Sequence, residues 1–434
     1  MMSRSTIVSR QVWDELFESI VGRPHQSEDD AQDLNAYLEY LQARYTPPLS
    51  DAFTPIFHPS TSRYTSSTAK IVASVVAVAG TLRKKPSSSI CNVVAELIEA
   101  SILREECRDQ YRPVAEYLVF CIQGWITMLY DPMPPDHMPP ATFNINTTGF
   151  ETHHQPISQA RRPFGEVLAG FRVWSNLQVR SQDGGLPGSR LSSGSGFLQP
   201  SFLHAGVLTS IGGLQICWVN AIGLHLTFEP TGRLFLFRMP SFCRMQSAEG
   251  SILDIIANAV ADEDEDGSDD GEEDRHANAL QCRRLATEVV QSYSVIFAAH
   301  SKARELYTHK ERTRASVNSK KEPDPLLDTV CGNSIRKWTT MWEPPPGAIN
   351  ASTVFPVLWR RLLALQQYIE SRPARGGLRG IYSDQRNSYN WYTFWAILII
   401  GTIGLVLSFI QTAMSVLQAS YAIKAYNKDT NMCA

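Results

Sequence analysis

The sequence predicts an α+β protein: a body with a helical N-terminal part and a β-rich middle, then one transmembrane helix near the C-terminus. Three observations carry this reading. Apolar residues recur at helical spacing from Val12 to Tyr130, strand formers gather between Ala141 and Met245, and no charged residue occurs from Asn387 to Ile423, a run of 37. The 434 residues suffice for two or three domains. The hydrophobic share of 43% is globular and the charged share of 19% slightly low. A net charge of −3 gives no reason to expect a nucleic-acid partner.

The first element spans MMSRSTIVSRQVWDELFESIVGR. Val12, Trp13, Leu16, Phe17, Ile20 and Val21 share a helical face, and Asp14, Glu15 and Glu18 break any signal-peptide core. A second helix is expected from Ser27 to Ala43, with Ser27 as cap and Glu28, Asp29 and Asp30 in the first turn. Helices follow at Lys70 to Leu82, Ser88 to Leu103 and Pro113 to Tyr130, the last with proline in its first turn. That stretch is almost wholly apolar. Its length, together with Glu116 and Gln123 inside it, favours a buried core helix over a second span.

The stiff stretch Asp131 to Pro140 marks the expected boundary of the helical part. Beyond the Ser/Gly-rich loop Ser181 to Gly196, Leu224–Phe228 and Arg233–Phe237 flank Glu229-Pro230-Thr231-Gly232 and read as a hairpin. Helices are then expected at Ser251 to Ala261 and Arg275 to Tyr307. The resulting organisation is a helical region 1–130, a β-rich region 131–250, helices 251–330 around an acidic disordered loop 262–274, a linker and juxtamembrane region 331–390, a transmembrane segment 391–423 with its core at 394–417, and a short tail 424–434.

The 24 core residues would rise ~36 Å as a helix, against a hydrocarbon thickness of ~30 Å. Tyr389, Trp391, Tyr392 and Trp395 gather at one end and Tyr421 and Tyr426 at the other, where aromatic rings with a polar edge favour the interface. Arg372, Arg375, Arg379 and Arg386 precede the span, whereas Lys424 and Lys428 follow it. That bias places the body in the cytosol, in a tail-anchored arrangement. The sequons at Asn146 and Asn350 would carry sugar only if the body were lumenal. Within the span Gly401, Gly404, Ser408, Gln411, Ser415 and Gln418 alternate at spacings of three and four, a stripe suited to helix packing in lipid. The expected partners are therefore the lipid bilayer and either a second copy or another membrane protein; the competing reading is a tolerated scatter of small polar residues.

The acidic loop packs ten acids between Asp262 and Asp274, leaving about +7 on the remainder. Asp262-x-Asp264-x-Asp266-Gly267 with Glu273 satisfies the written EF-hand pattern, yet Asp269 stands where that loop places an apolar residue. A solvated charge run is the better reading, with Ser268 a phosphorylation candidate. Lys302 to Lys321 holds seven bases and two acids, either a solvated helix end or a polybasic surface for anionic headgroups. His153-His154 lacks partners at ligand spacing, Pro344-Pro345-Pro346 reads as a linker, and the eight cysteines show no CxxC pattern. No GxSxG, HExxH, GxxxxGK or GxGxxG occurs, so no cofactor, metal or catalytic residue is implied.

Tyr389-Asn390-Trp391-Tyr392-Thr393-Phe394-Trp395 leading to Gln411, and Arg233–Arg238 followed by Pro240-Ser241-Phe242-Cys243, resemble a set of uncharacterised filamentous-fungal proteins with a C-terminal single-pass membrane segment. The resemblance covers about a fifth of the chain and implies a fungal origin. The expected function is a membrane-anchored scaffold or regulator; the alternative is a membrane-bound enzyme or accessory protein of a fungal metabolite pathway.

Overall fold

The computed structural model describes residues 10–46, 49–59, 67–135, 137–146, 152–171, 173, 196–229, 231–263, 271–298, 300–316, 322–332, 348–372 and 388–432. The chain divides into two compact units, 1–371 and 372–434. The first combines helices and sheets, and the second contains one long apolar helix.

The N-terminal helices form where local signals place them. In α1 (Arg10–Val21) the side chains of Leu16, Phe17, Ile20 and Val21 are fully buried. α2 (Glu28–Arg44) opens with a reciprocal cap: the Asp30 amide donates to Ser27 Oγ at 3.1 Å, and the Ser27 amide to the Asp30 carboxylate at 3.2 Å. Arg23, 2.7 Å from Asp30, holds that carboxyl down at about 2. After α3 (Leu49–Phe53) come α4 (Ser67–Lys84) and α5 (Ile90–Glu99), the latter capped by Ser89.

α6 (Arg112–Thr127) is the hub. Every residue from Val114 to Thr127 is buried, so it is a core helix of the body. Its one acid is answered locally: Arg112 Nε donates to Glu116 at 2.7 Å, and the Cys91 thiol to the same oxygen at 3.2 Å. Met128, in the left-handed region at φ 47°, ends the helix.

The stretch 131–140 lies inside the first unit. It opens with β1 (Asp131–Pro132), the edge of an antiparallel sheet ordered β1–β2–β3, with β2 at Thr142–Asn146 and β3 at Thr152–Pro156. α7 (Phe164–Gly170), β4 (Phe197–Leu198), α8 (Pro200–Leu203) and α9 (Ala205–Ser210) follow.

The expected hairpin is realised over two residue pairs only. β6 (Phe228–Glu229) pairs antiparallel with β7 (Arg233–Phe237) at Phe228–Leu234 and Glu229–Arg233, while Ile222–Leu224 forms a 3₁₀ turn. The main partner of β7 is β5 (Gln215–Val219), parallel to it in register from Gln215–Arg233 to Val219–Phe237. β7 is buried at four successive residues, Leu234 to Phe237, and a run apolar on both faces suits a covered central strand better than one arm of a two-sided hairpin.

α10 (Pro240–Gln246), α11 (Ile252–Glu263) and α12 (Gly271–Tyr293) then pack together, and α12 runs into a π-helical turn at Ser294–Ala298. α13 (Ser301–Leu306), a π turn at Tyr307–Glu311 and α14 (Arg312–Ala315) are contiguous. α15 (Pro325–Cys331), β8 (Ile349–Asn350, paired with β4), α16 (Ala351–Val354) and α17 (Trp359–Glu370) complete the first unit. The second contributes α18 (Ser388–Met432).

One contact ties α1, α4 and the α10–α11 turn. Arg83 donates to Ser19 O at 2.5 Å and to Gly250 O at 2.7 Å, and Gly22 sits against the same carbonyl at φ 84°. A Cβ on Gly22 would lie 2.3 Å from Gly250 O. Gly22→Ala combines left-handed strain with a backbone clash and should lower unfolding free energy by on the order of 2–4 kcal/mol. Denaturant titration of both proteins checks this; a change below about 1 kcal/mol would show that the turn relaxes freely.

Candidate functional site

α18 holds the sequence-predicted site. Its stretch Tyr392–Lys424 is 33 residues long, and its most apolar 18 residues have a mean hydropathy of 2.3 with none of them buried, so it is long and apolar enough to cross a membrane. A continuous helix places Gly401, Gly404, Ser408, Gln411, Ser415 and Gln418 along one stripe. A Cβ on either glycine would meet nothing within 4 Å, so that face is open to close approach. Several hydroxyls are satisfied within the helix: Ser415 donates to Gln411 O at 2.9 Å, Thr412 to Ser408 O at 2.9 Å and Thr402 to Leu398 O at 2.8 Å. Among the described residues, the carboxamides of Gln411 and Gln418 make no hydrogen bond.

Other candidates lie on the body or outside the described residues. Ser268, most of the acidic loop, Lys320, Lys321 and Pro344–Pro346 lie outside. α11 reaches Glu263 and α12 begins at Gly271, so both flanks of the loop are helical. Asn146 closes β2 and Asn350 is exposed, its side chain capping α16 by accepting from the Thr353 amide at 3.3 Å. In the basic stretch the arginines act as staples. Arg304 donates to Ala298 O, Arg312 pairs with Asp328 at 2.6 Å, and Arg314 binds both Glu311 at 2.8 Å and Ile216 O at 2.9 Å.

Three polar clusters inside the body escaped the sequence. At the carboxyl ends of the parallel pair, Asn220 follows β5 and Arg238 follows β7, the position where open parallel sheets place ligands. Asn220 donates to Asp131 at 3.0 Å, Arg44 pairs with Asp131, and Arg238 donates to Trp218 O at 2.7 Å. Burial, with the like charge of Arg44 behind it, pulls the Arg238 pKa down to about 10, and burial raises Tyr40 to about 12. The hydrogen bonds it makes run to backbone and to each other and lock α2, β1 and the sheet together, while Asn220 Oδ1 and Arg238 Nε are buried without a hydrogen bond. A polar residue directly after each apolar strand run was its only sequence signal.

The second cluster imitates a catalytic dyad. His225 Nε2 lies 2.7 Å from Ser292 Oγ, and both residues are fully buried. However, His225 Nδ1 accepts the Phe237 amide at 3.1 Å, so the neutral ring carries its proton on Nε2 and donates to the serine. Ser292 in turn donates to Val289 O at 2.7 Å, and burial pushes the histidine down to about 3. A base must accept from its nucleophile; this pair is wired the opposite way.

The third lies beside an open cleft of about 570 Å³ between α12 and the segment 351–356, lined by Arg283, Arg284, Glu288, Gln291 and Thr353 among others. Glu288 is buried, and its oxygens accept the Val357 amide at 3.0 Å and the Leu358 amide at 2.7 Å, capping α17 from outside the helix. Burial raises its pKa to about 7 against those two donors. No protein-family model, curated protein or solved structure matches the chain.

The Glu288 environment fixes a sign. A carboxyl whose folded pKa lies above its usual 4.5 binds its proton more tightly when folded, so stability is lost as pH rises between about 4.5 and about 7. Glu288→Gln removes that titration. The unfolding free energy of the variant relative to wild type should therefore rise by up to roughly 3 kcal/mol between pH 5 and pH 8. Urea titrations at the two pH values test this, and a difference independent of pH would contradict it.

Proposed function

We propose that this protein is a membrane-anchored scaffold or regulator, held by α18 with its body in the cytosol. The observation that carries the reading is the stretch Tyr392–Lys424: 33 residues, of which the most apolar 18 have a mean hydropathy of 2.3 and are wholly unburied. Such a surface in water would be costly over its whole length, and a bilayer removes that cost. The cytosolic placement is supported by the four arginines before the span against two lysines after it. The side chains of Gln411 and Gln418, lying on one stripe with Gly401 and Gly404, support pairing with a second copy or another membrane helix.

Full-length protein should stay with the membrane pellet through alkaline carbonate extraction. Aspartates at Ile400, Ile403 and Leu407, each costing ~2.5–3.5 kcal/mol at mid-membrane, should release it. Recovery of the wild type in the soluble fraction would sink the anchor. The exposed Asn350 reports orientation: the chain should gain no endoglycosidase-sensitive sugar, and a glycosylated Asn350 would place the body on the lumenal side instead. For the pairing, Gln411→Leu with Gln418→Leu should weaken crosslinked dimer or partner capture in detergent several-fold, since each interhelical amide contact is worth ~0.6–2 kcal/mol. Unchanged capture would leave α18 an anchor alone.

A further inference from the structure

Two histidines meet at the starts of α9 and α13. The rings of His204 and His300 stack with centroids 4.1 Å apart and planes 5° from parallel, where the two helices pack together. His204 is buried, and its Nδ1 has no hydrogen-bond partner. The ring is closely covered: a Cβ on Gly206 would lie 3.1 Å from that nitrogen. His300 Nδ1 accepts the Lys302 amide at 3.3 Å and caps α13, so the neutral ring carries its proton on Nε2.

Each ring resists a second proton for its own reason. On His300 that proton must go to Nδ1, which turns the acceptor of the cap into a donor facing the Lys302 N–H. On His204 it puts a charge into a buried stack beside a ring of the same kind. α8, α9 and the π turn Ser294–Ala298 hold no titratable side chain. α13 supplies Lys302, Arg304 and Glu305, and α17, packed on α8, supplies Arg360, Arg361 and Glu370. The charges that bear on His204 are those of His300 and Lys302, and burial together with these two holds its pKa down at about 4. α9 and α13 are six residues each, so they depend on packing more than on their own helical bonds.

We propose that the His204–His300 stack is an acid-sensitive latch, holding α9 against α13 while both rings are neutral and releasing them when the stack is protonated. A histidine held below its ordinary 6.5 stabilises the closed contact fully above that pH, and the stabilisation is lost as pH falls from 6.5 toward 4. The open form should therefore rise about tenfold between pH 7.5 and pH 5.5. Release loosens the first turn of α9, which leads into β5, and that of α13, which opens the basic stretch. The latch lies within the first unit and does not depend on the role assigned to α18.

Hydrogen–deuterium exchange of the full-length protein in a non-ionic detergent tests this. The amides of Val207 and Leu208 donate to His204 O, and those of Ala303 and Arg304 to His300 O, so all four report on the latch. After correction for the intrinsic pH dependence of exchange, their protection should fall about tenfold from pH 7.5 to pH 5.5, relative to the amides of α6. His204→Phe keeps a ring in the stack without the charge, and its protection should hold nearly constant over that range. Unchanged protection in the wild type, or an equal fall in His204→Phe, overturns the proposal. Ring NMR titration of the histidine-labelled wild type gives a reading should that variant not fold. The His204 resonance, identified by its cross-peak to the His300 ring, should titrate with a midpoint below about pH 5; a midpoint near 6.5 overturns the latch as well.

Discussion

The complete burial of α6 is the constraint on which the body depends. A helix with no solvent face must be covered on every side, and the chain spends much of its length doing so. α4 and α5 cover it with Val, Ile and Leu side chains, and Phe143 of the first sheet and Tyr130 just before it cover it with aromatic rings. Phe120 stacks on Phe143 at 4.5 Å and on Tyr130 at 4.8 Å, geometry that adds to the area buried. The polar edges of these rings tie the cover to backbone: Tyr130 donates to Phe120 O and Tyr117 to Met133 O, both at 2.6 Å. At the helix end the Ile222 amide donates to Met128 O at 2.8 Å, which attaches the parallel sheet to the same hub.

Around this apolar centre the charged residues act as registers. Arg244 holds the buried Asp33 through two bonds of 2.6 and 2.7 Å, joining α10 to α2. Arg44, on the same helix, reaches Asp131 at the start of the first sheet. Breaking such a pair strands a charge in a medium that solvates it poorly, so each permits one alignment of its elements and penalises the others. Ser241 and Asp324 repeat the device: the Ser241 hydroxyl donates to the carboxylate at 2.7 Å while the Leu326 and Leu327 amides donate to its shared oxygen, capping α15. Burial nonetheless pushes Asp324 up to about 7, so desolvation outweighs these donors.

Whatever depends on neighbours in sequence was legible, and whatever depends on distant partners was not. Ser27 was readable as a cap because its acceptor role is settled three residues later by Asp30. Pro113 marked the start of α6, and the interior acid Glu116 argued for burial beside a partner, which Arg112 supplies four positions earlier. The run forming β7 was strand-like, but its parallel pairing with β5 was hidden because a turn with glycine favours the local hairpin that the chain makes only briefly. Glu288 shows the limit most plainly. On its own helix it is an ordinary polar residue, and its role comes from two amides 69 and 70 positions further along. The cleft beside it joins α12 to a segment equally remote, so no spacing rule could have announced it.

The contrast between α6 and α18 explains why only one was readable as a membrane helix. Both are rich in Val, Ile, Leu and aromatic residues. α6 carries Glu116 and Gln123 within 16 residues, and the acid already has Arg112 and Cys91 to meet it, so the helix belongs inside protein. In α18 the uncharged stretch is long enough to cross a bilayer, and the hydroxyls of Thr412 and Ser415 are satisfied by its own carbonyls. Lipid can therefore solvate nearly all of it without help from a second chain. The exceptions include the amides of Gln411 and Gln418, which hydrocarbon cannot satisfy. Their demand for a hydrogen-bonding partner is what makes this face of the helix a candidate recognition surface.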